Sequence, residues 1–208
     1  MQTAKLATTL TKLGGLAAVG AWVAWAALSV ATAAPPVRSV EQLDMQRYSG
    51  MWYELARLPN SLQANCVADV TATYRLLDDG SLQVIQRCRE AGQGFSVAAG
   101  RAVTTDGDPS GARLKLSFLP TWLQWLPTSH DEHWIVMIDD DYRYAVVSQP
   151  SRERLWILAR TPTLDPVTFD SIIARLRAQK YPVGRLVPTP QRASSESPAL
   201  AARHHLIV

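Results

Sequence analysis

Gly50-Met51-Trp52-Tyr53-Glu54-Leu55-Ala56-Arg57 is the stretch from which the rest of the chain is read. It opens the first strand-like run, with a glycine that lets the backbone turn sharply or pass close to another segment. A tryptophan follows two residues later, large enough to plug one end of a barrel or sandwich. Far downstream stands a second piece, Leu155-Trp156-Ile157-Leu158-Ala159-Arg160. An arginine ending an apolar strand needs a partner, and the face of a tryptophan is a suitable one.

Between these two pieces the chain reads as short strands and turns. Strands are predicted over 51–58, 68–77, 81–88, 95–104, 112–119, 133–138, 142–148 and 154–161. Asp78-Asp79-Gly80 is a hairpin turn, and Gly100 marks a bulge or bend in the fourth strand. In the fifth, Leu114, Leu116 and Phe118 alternate with Arg113, Lys115 and Ser117. No connection has the helical crossover that parallel pairing requires, so the eight strands imply an antiparallel barrel or sandwich. Closed up-and-down, eight strands leave room for side chains or one small ligand. A helix follows, with Asp165 as N-cap, Pro166 at its first position, and Phe169, Ile172, Ile173 and Leu176 at helical spacing. Its apolar face should pack outside the barrel. A short last strand is expected at 185–187.

These residues resemble the lipocalin family. Gly50-x-Trp52-Tyr53-Glu54 matches its first signature. Asp139-Asp140-Asp141-Tyr142-Arg143-Tyr144-Ala145 resembles its second, and Arg160 matches the third, the arginine that stacks on the signature tryptophan. The resemblance covers roughly 40–191 and is nearest to the branch of bacterial outer-membrane lipocalins and apolipoprotein D. It implies an all-β, eight-stranded antiparallel up-and-down barrel with a C-terminal α-helix packed outside. Gly50, Trp52, Tyr53 and Arg160 become structural, with Trp52 and Arg160 closing the floor.

The resemblance also implies a ligand cup. If Arg160 points inward, alternation puts Leu158 and Trp156 inward too. By similarity to retinol-binding lipocalins, His133, Ile135, Met137, Ala145 and Val147 face the interior, with Ala72 from the second strand. The cup is expected to be apolar, with few polar groups, and to suit fatty acids, lysophospholipids or another small hydrophobic ligand. Trp122 and Trp125, in the long connection before the sixth strand, would stand at the open rim as a lid, a peripheral membrane contact or local packing of the long loop. A structural envelope protein with a filled barrel, and a lipocalin-fold enzyme or haem binder, are the alternatives. No catalytic residue, cofactor or metal stands out: His130-Asp131-Glu132-His133 lacks the helix that sets two histidines one turn apart.

Compartment is read from the ends and the cysteines. Lys5 and Lys12 precede a long uncharged stretch, and Ala31-Thr32-Ala33-Ala34 supplies small residues for a peptidase. A signal segment over 1–33, or an uncleaved anchor, is followed by a domain over 34–191 and a tail over 192–208. Without Lys5 and Lys12 the net charge falls from +3 to about +1, and no basic run suits nucleic acid. Bacterial members are often lipoproteins, but no cysteine stands at this cleavage site, so a periplasmic or envelope-associated form is expected. Cys66 and Cys88 are an even pair suited to an oxidising compartment. A disulfide between them is expected, with two free buried thiols as the alternative, and would add about 3 kcal/mol. The hairpin turn, however, sets Cys88 opposite Thr71, so closure would require the chain before Thr71 to fold back over the sheet.

Overall fold

The computed structural model describes residues 34–92, 94–123, 126 and 130–192. The expected signal segment, the tail from residue 193 and Trp125 lie outside the described residues. A short helix α1 (Met45–Tyr48) leads into β1 (Gly50–Arg57). There follow β2 (Cys66–Leu76), β3 (Leu82–Glu90), β4 (Gly94–Thr104), β5 (Arg113–Ser117), β6 (Asp131–Ile138), β7 (Tyr144–Ser148) and β8 (Leu155–Ala159). Each pairs antiparallel with the next, and β8 returns to β1, which pairs with β2 and closes the barrel. The turn after β2 forms as the Asp-Asp-Gly sequence dictates, with Gly80 at φ 79°.

Helix α2 (Pro166–Ala178) starts where expected: Asp165 accepts from the Thr168 N–H, and Pro166 needs no donor there. It lies on the outside of the barrel. Ile172 and Leu176 are fully buried against Val136, Met137, Val146, Leu155 and Ile157. The second core lies inside and includes Tyr48, Trp52, Tyr74, Leu82, Val84, Leu114 and Ile135.

All three signature pieces meet at the barrel floor. The Arg160 guanidinium sits 3.7 Å from the Trp52 ring centre. Its Nη2 donates to the carbonyls of Arg47, Tyr48 and Ser49, at 2.6, 3.2 and 2.9 Å, and its Nη1 to Met51 O at 3.0 Å. Its Nε reaches Tyr142 O at 3.4 Å. Trp52 donates its indole N–H to Tyr48 O at 2.8 Å. Gly50 has φ 100°, and a Cβ there would stand 3.1 Å from Arg160 Nη1, so conformation and space both demand glycine. The acidic turn adds Tyr142, in the left-handed region at φ 57°, whose hydroxyl accepts from the Asp44 N–H.

Two features depart from the sequence reading, for identifiable reasons. Gly100 carries no bulge in the β3–β4 register, which runs unbroken through it. It is glycine because a Cβ would lie 2.6 Å from Ser117 O and 2.7 Å from Phe118 Cδ1. The Cys66–Cys88 disulfide forms as expected, with Cα atoms 5.5 Å apart, but not by a chain folding back. Two register shifts in β2 do the work instead. Thr71 pairs with Arg87 and Ala68 with Arg89, leaving Asp69 and Val70 opposite Cys88 alone. Asp69 takes φ 52°, the mark of a bulge, and its carboxylate accepts from Arg89 Nε.

The last strand also does more than expected. Above the Tyr53–Thr71 pair, β1 and β2 part, and the chain around β9 (Val187–Pro188) fills the seam. Thr189 N–H donates to Leu55 O, and Asp69 N–H to Pro190 O. The Gln191 amide donates to Glu54 O and Val70 O. Arg192, expected to begin the tail, donates its N–H to Asp69.

Arg160→Lys keeps the charge but loses the planar fork that serves several carbonyls at once. It is expected to lower unfolding free energy by about 2–4 kcal/mol in urea denaturation.

Candidate functional site

The strands direct two rows of side chains into the barrel, and their chemistry changes with height. Below, the interior is filled by the buried side chains of Trp52, Tyr48, Leu82, Val84 and Leu114. Above, β1 alternates Trp52 and Glu54 inward. A register shift at Leu55 then turns Ala56 onto the outer core and places Arg57 beside Trp156 of β8. Glu54 is thereby 2% exposed.

Burying a carboxylate requires partners, and Glu54 has a full set. Arg57 Nη1 donates to its Oε1 at 2.7 Å, and the Thr189 hydroxyl donates to the same oxygen at 2.5 Å. Gln63 Nε2 donates to Oε2 at 2.7 Å. Gln63 ends a single 3-10 turn, Ser61–Gln63, whose N-cap Asn60 accepts from the Gln63 N–H. The Gln63 Oε1 in turn accepts from Trp156 Nε1 at 2.6 Å and from Asn60 Nδ2 at 3.1 Å. Arg57 Nη2 completes the ring on the carbonyls of Cys66, at 2.8 Å, and Gln63, at 3.4 Å. The turn between β1 and β2 is thus held down as a roof.

Free space lies on both sides of Gln63. Beneath it is a cavity of about 20 Å³, bounded among others by Glu54, Ala72, Tyr74, His133, Trp156 and Leu158. That is room for about one water. On the mouth side is a cleft of about 120 Å³ between the 61–66 segment and β3–β4, reached by Ser96 and Ala98. Gln63, Val70 and Gln86 border both spaces.

His133 stands over the inner cavity. Its Nε2 lies 3.1 Å from the Tyr74 hydroxyl, and its ring 5.5 Å from that of Trp156. Burial lowers its pKa from 6.5 to about 4, so the ring is neutral at pH 7. Burial likewise pushes the Tyr74 phenol up to about 12, so it keeps its proton.

Of the residues expected to line a cup, Ala72, His133, Trp156 and Leu158 touch the inner cavity. Ile135, Ala145 and Val147 also face inward, but lie in packed core. Met137 does not face inward. The β6–β7 register shifts between Ile135 and Met137, which reverses the alternation and puts Met137 under helix α2. The expectation of an open cup with few polar groups is also corrected: the enclosed space is small and its upper wall is polar. Glu54, Gln63, Tyr74 and Gln86 were missed. Alternation from Trp52 would have turned Glu54 inward; nothing local marks Gln63. The 130–133 tetrad does not converge, since β6 turns His133 inward and leaves Glu132 exposed. Among the described residues no three metal-ligating side chains cluster. Trp122 is 73% exposed in the β5–β6 connection, and nothing in the structure directs it to a membrane.

Barrel, sealed floor and roofed interior together define a closed up-and-down barrel rather than a channel. A family model described as a Lipocalin-like domain matches residues 43–191. The temperature-induced lipocalin-1 of Arabidopsis thaliana is 36% identical over 73% of this chain and 81% of its own length. The outer membrane lipoprotein Blc of Citrobacter freundii is 34% identical over 83% and 93%. The crystal structure of the cockroach allergen Per a 4 shares the fold, with TM-score 0.58 at 21% identity over 76% of this chain and 93% of its own. The chain belongs to the lipocalin family, whose members bind small hydrophobic ligands.

The buried imidazole has a consequence for acid stability. Between pH 6.5 and about 4 the unfolded chain holds a proton on His133 that the folded chain refuses. Stability contributed this way is complete above 6.5 and is lost as pH falls, up to about 3 kcal/mol. Denaturation curves at pH 7 and pH 4.5 should show this loss in the parent chain and a smaller one in His133→Gln.

Proposed function

We propose that this lipocalin binds a single-chain lipid, of the fatty acid or lysophospholipid kind, and carries it within the cell envelope. It acts as a binder and not as a catalyst. The observation behind this reading is the adjacency of the two spaces, which share Gln63, Val70 and Gln86 as borders. A mouth-side cleft lies next to an inner cavity walled by Ala72, Trp156 and Leu158, and of the shared border residues Gln63 belongs to the roof turn. Displacing that residue opens a route from the mouth to the apolar wall, where each buried methylene contributes about 0.8 kcal/mol. Export is supported by the signal-like 1–33 segment and by the outer-membrane naming of the Citrobacter relative.

The enclosed volume favours a second reading, a barrel filled by its own side chains that serves a structural role. Pockets for drug-sized ligands run to about 300–1,000 Å³, far above the 20 Å³ beneath Gln63, so carriage requires the roof to move. Native mass spectrometry of protein freshly purified from its own host separates the two. A protein ion that releases a lipid on collisional activation is expected. An empty spectrum, together with no uptake of added oleate, lyso-oleoylphosphatidylcholine or oleamide, would establish the filled barrel.

A further inference from the structure

We infer that the lipid this barrel takes carries a neutral head with a hydrogen-bond donor beside an acceptor, as in an acyl amide or a monoacylglycerol, and that the Gln63 side chain is the built-in stand-in for that head. This rests on the reading above that the barrel takes a single-chain lipid, and it replaces the charged heads named there with a neutral one.

The polarity of the position is set by chemistry. A carboxylate oxygen only accepts and an indole N–H only donates. The amide wedged between Glu54 Oε2, at 2.7 Å, and Trp156 Nε1, at 2.6 Å, must therefore point its nitrogen at the first and its oxygen at the second. These two groups belong to β1 and β8, which are locked in the barrel wall. Gln63 belongs to one turn whose neighbour Leu62 is 56% exposed. The wall is fixed, and the turn is the part that can yield.

Gln63 also stands where a ligand must pass, since it borders both the cleft and the inner cavity. Once it moves aside, Glu54 Oε2 lacks a donor and Trp156 Nε1 lacks an acceptor. Both are buried, and a buried group stripped of its partner is costly. A ligand head that restores both bonds is favoured. A hydrocarbon end restores neither. A free carboxylate can accept from Trp156 but sets a second anion against Glu54, in a site that water screens poorly. Arg57 does not compensate, because its terminal nitrogens are committed to Glu54, Thr189, Cys66 O and Gln63 O. An amide, or a hydroxyl next to an ester carbonyl, supplies donor and acceptor without charge.

The test compares oleamide, 1-monooleoylglycerol and oleate, which share one chain, below their aggregation limits at pH 8. Binding is read by intrinsic tryptophan fluorescence and by calorimetry. The two neutral ligands are expected to bind at least about ten-fold tighter than oleate. Glu54→Gln, which removes the anion, should bring oleate to within about three-fold of oleamide. Gln63→Ala should tighten all three ligands while keeping their order. Oleate binding as tightly as oleamide to the parent chain overturns the inference and leaves lipid binding standing. An unchanged order in Glu54→Gln also overturns it. If none of the three binds to parent or Gln63→Ala protein, the lipid-binding reading itself fails. Should Glu54→Gln not fold, as its circular dichroism would show, the ranking in the parent chain and in Gln63→Ala still decides.

Discussion

One guanidinium organises the lower half of this protein. Arg160 lies flat on Trp52 and gives its donors to carbonyls on either side of the start of β1. It thereby ties the lead-in helix, the first strand, the turn before β7 and the end of β8 to one point. The arrangement needs a planar cation with several donors in fixed directions, and a glycine at position 50 so that the chain can pass beside it. The floor is thereby sealed by aromatic and branched side chains.

The mouth is built on different physics. Here strands β1 and β2 separate, the chain around Thr189 fills the gap, and the Cys66–Cys88 bridge anchors the base of the roof turn. A buried Glu54–Arg57 pair is surrounded by groups that satisfy it. Such a pair contributes little net stability compared with apolar packing, yet it is expensive to break from one side. That combination suits a place that must hold one geometry when closed and discriminate among what replaces the roof. The barrel is accordingly asymmetric: apolar contact below resists change, and directional hydrogen bonds above select.

Much of this was legible in the residues. Gly50, Trp52 and Arg160 announced the floor, Asp165 and Pro166 the start of α2, and Asp78-Asp79-Gly80 the first hairpin. Each is a local pattern whose meaning depends on a few neighbours. Trp156 and Leu158 stand on the inner wall because alternation holds over β8, whose register with β7 runs unbroken; Ala72 was placed by family similarity alone. Met137 was misplaced, and the route to the Cys66–Cys88 bridge misjudged, for one shared reason. A bulge inserts a residue and reverses every orientation beyond it, and bulges arise where distant strands must reconcile their registers.

The sequence alone therefore determined the class of fold, the order of its strands and the group that seals it, because turn chemistry, two-residue alternation and signature spacing are short-range properties. Only the tertiary structure decided that Glu54 is buried beside Arg57, that Gln63 of a polar loop turns inward to bridge Glu54 and Trp156, and that Thr189 from the far end of the chain completes their shell. These contacts join residues up to 135 positions apart. Their partners are chosen by closure of the barrel, which no local window of sequence contains.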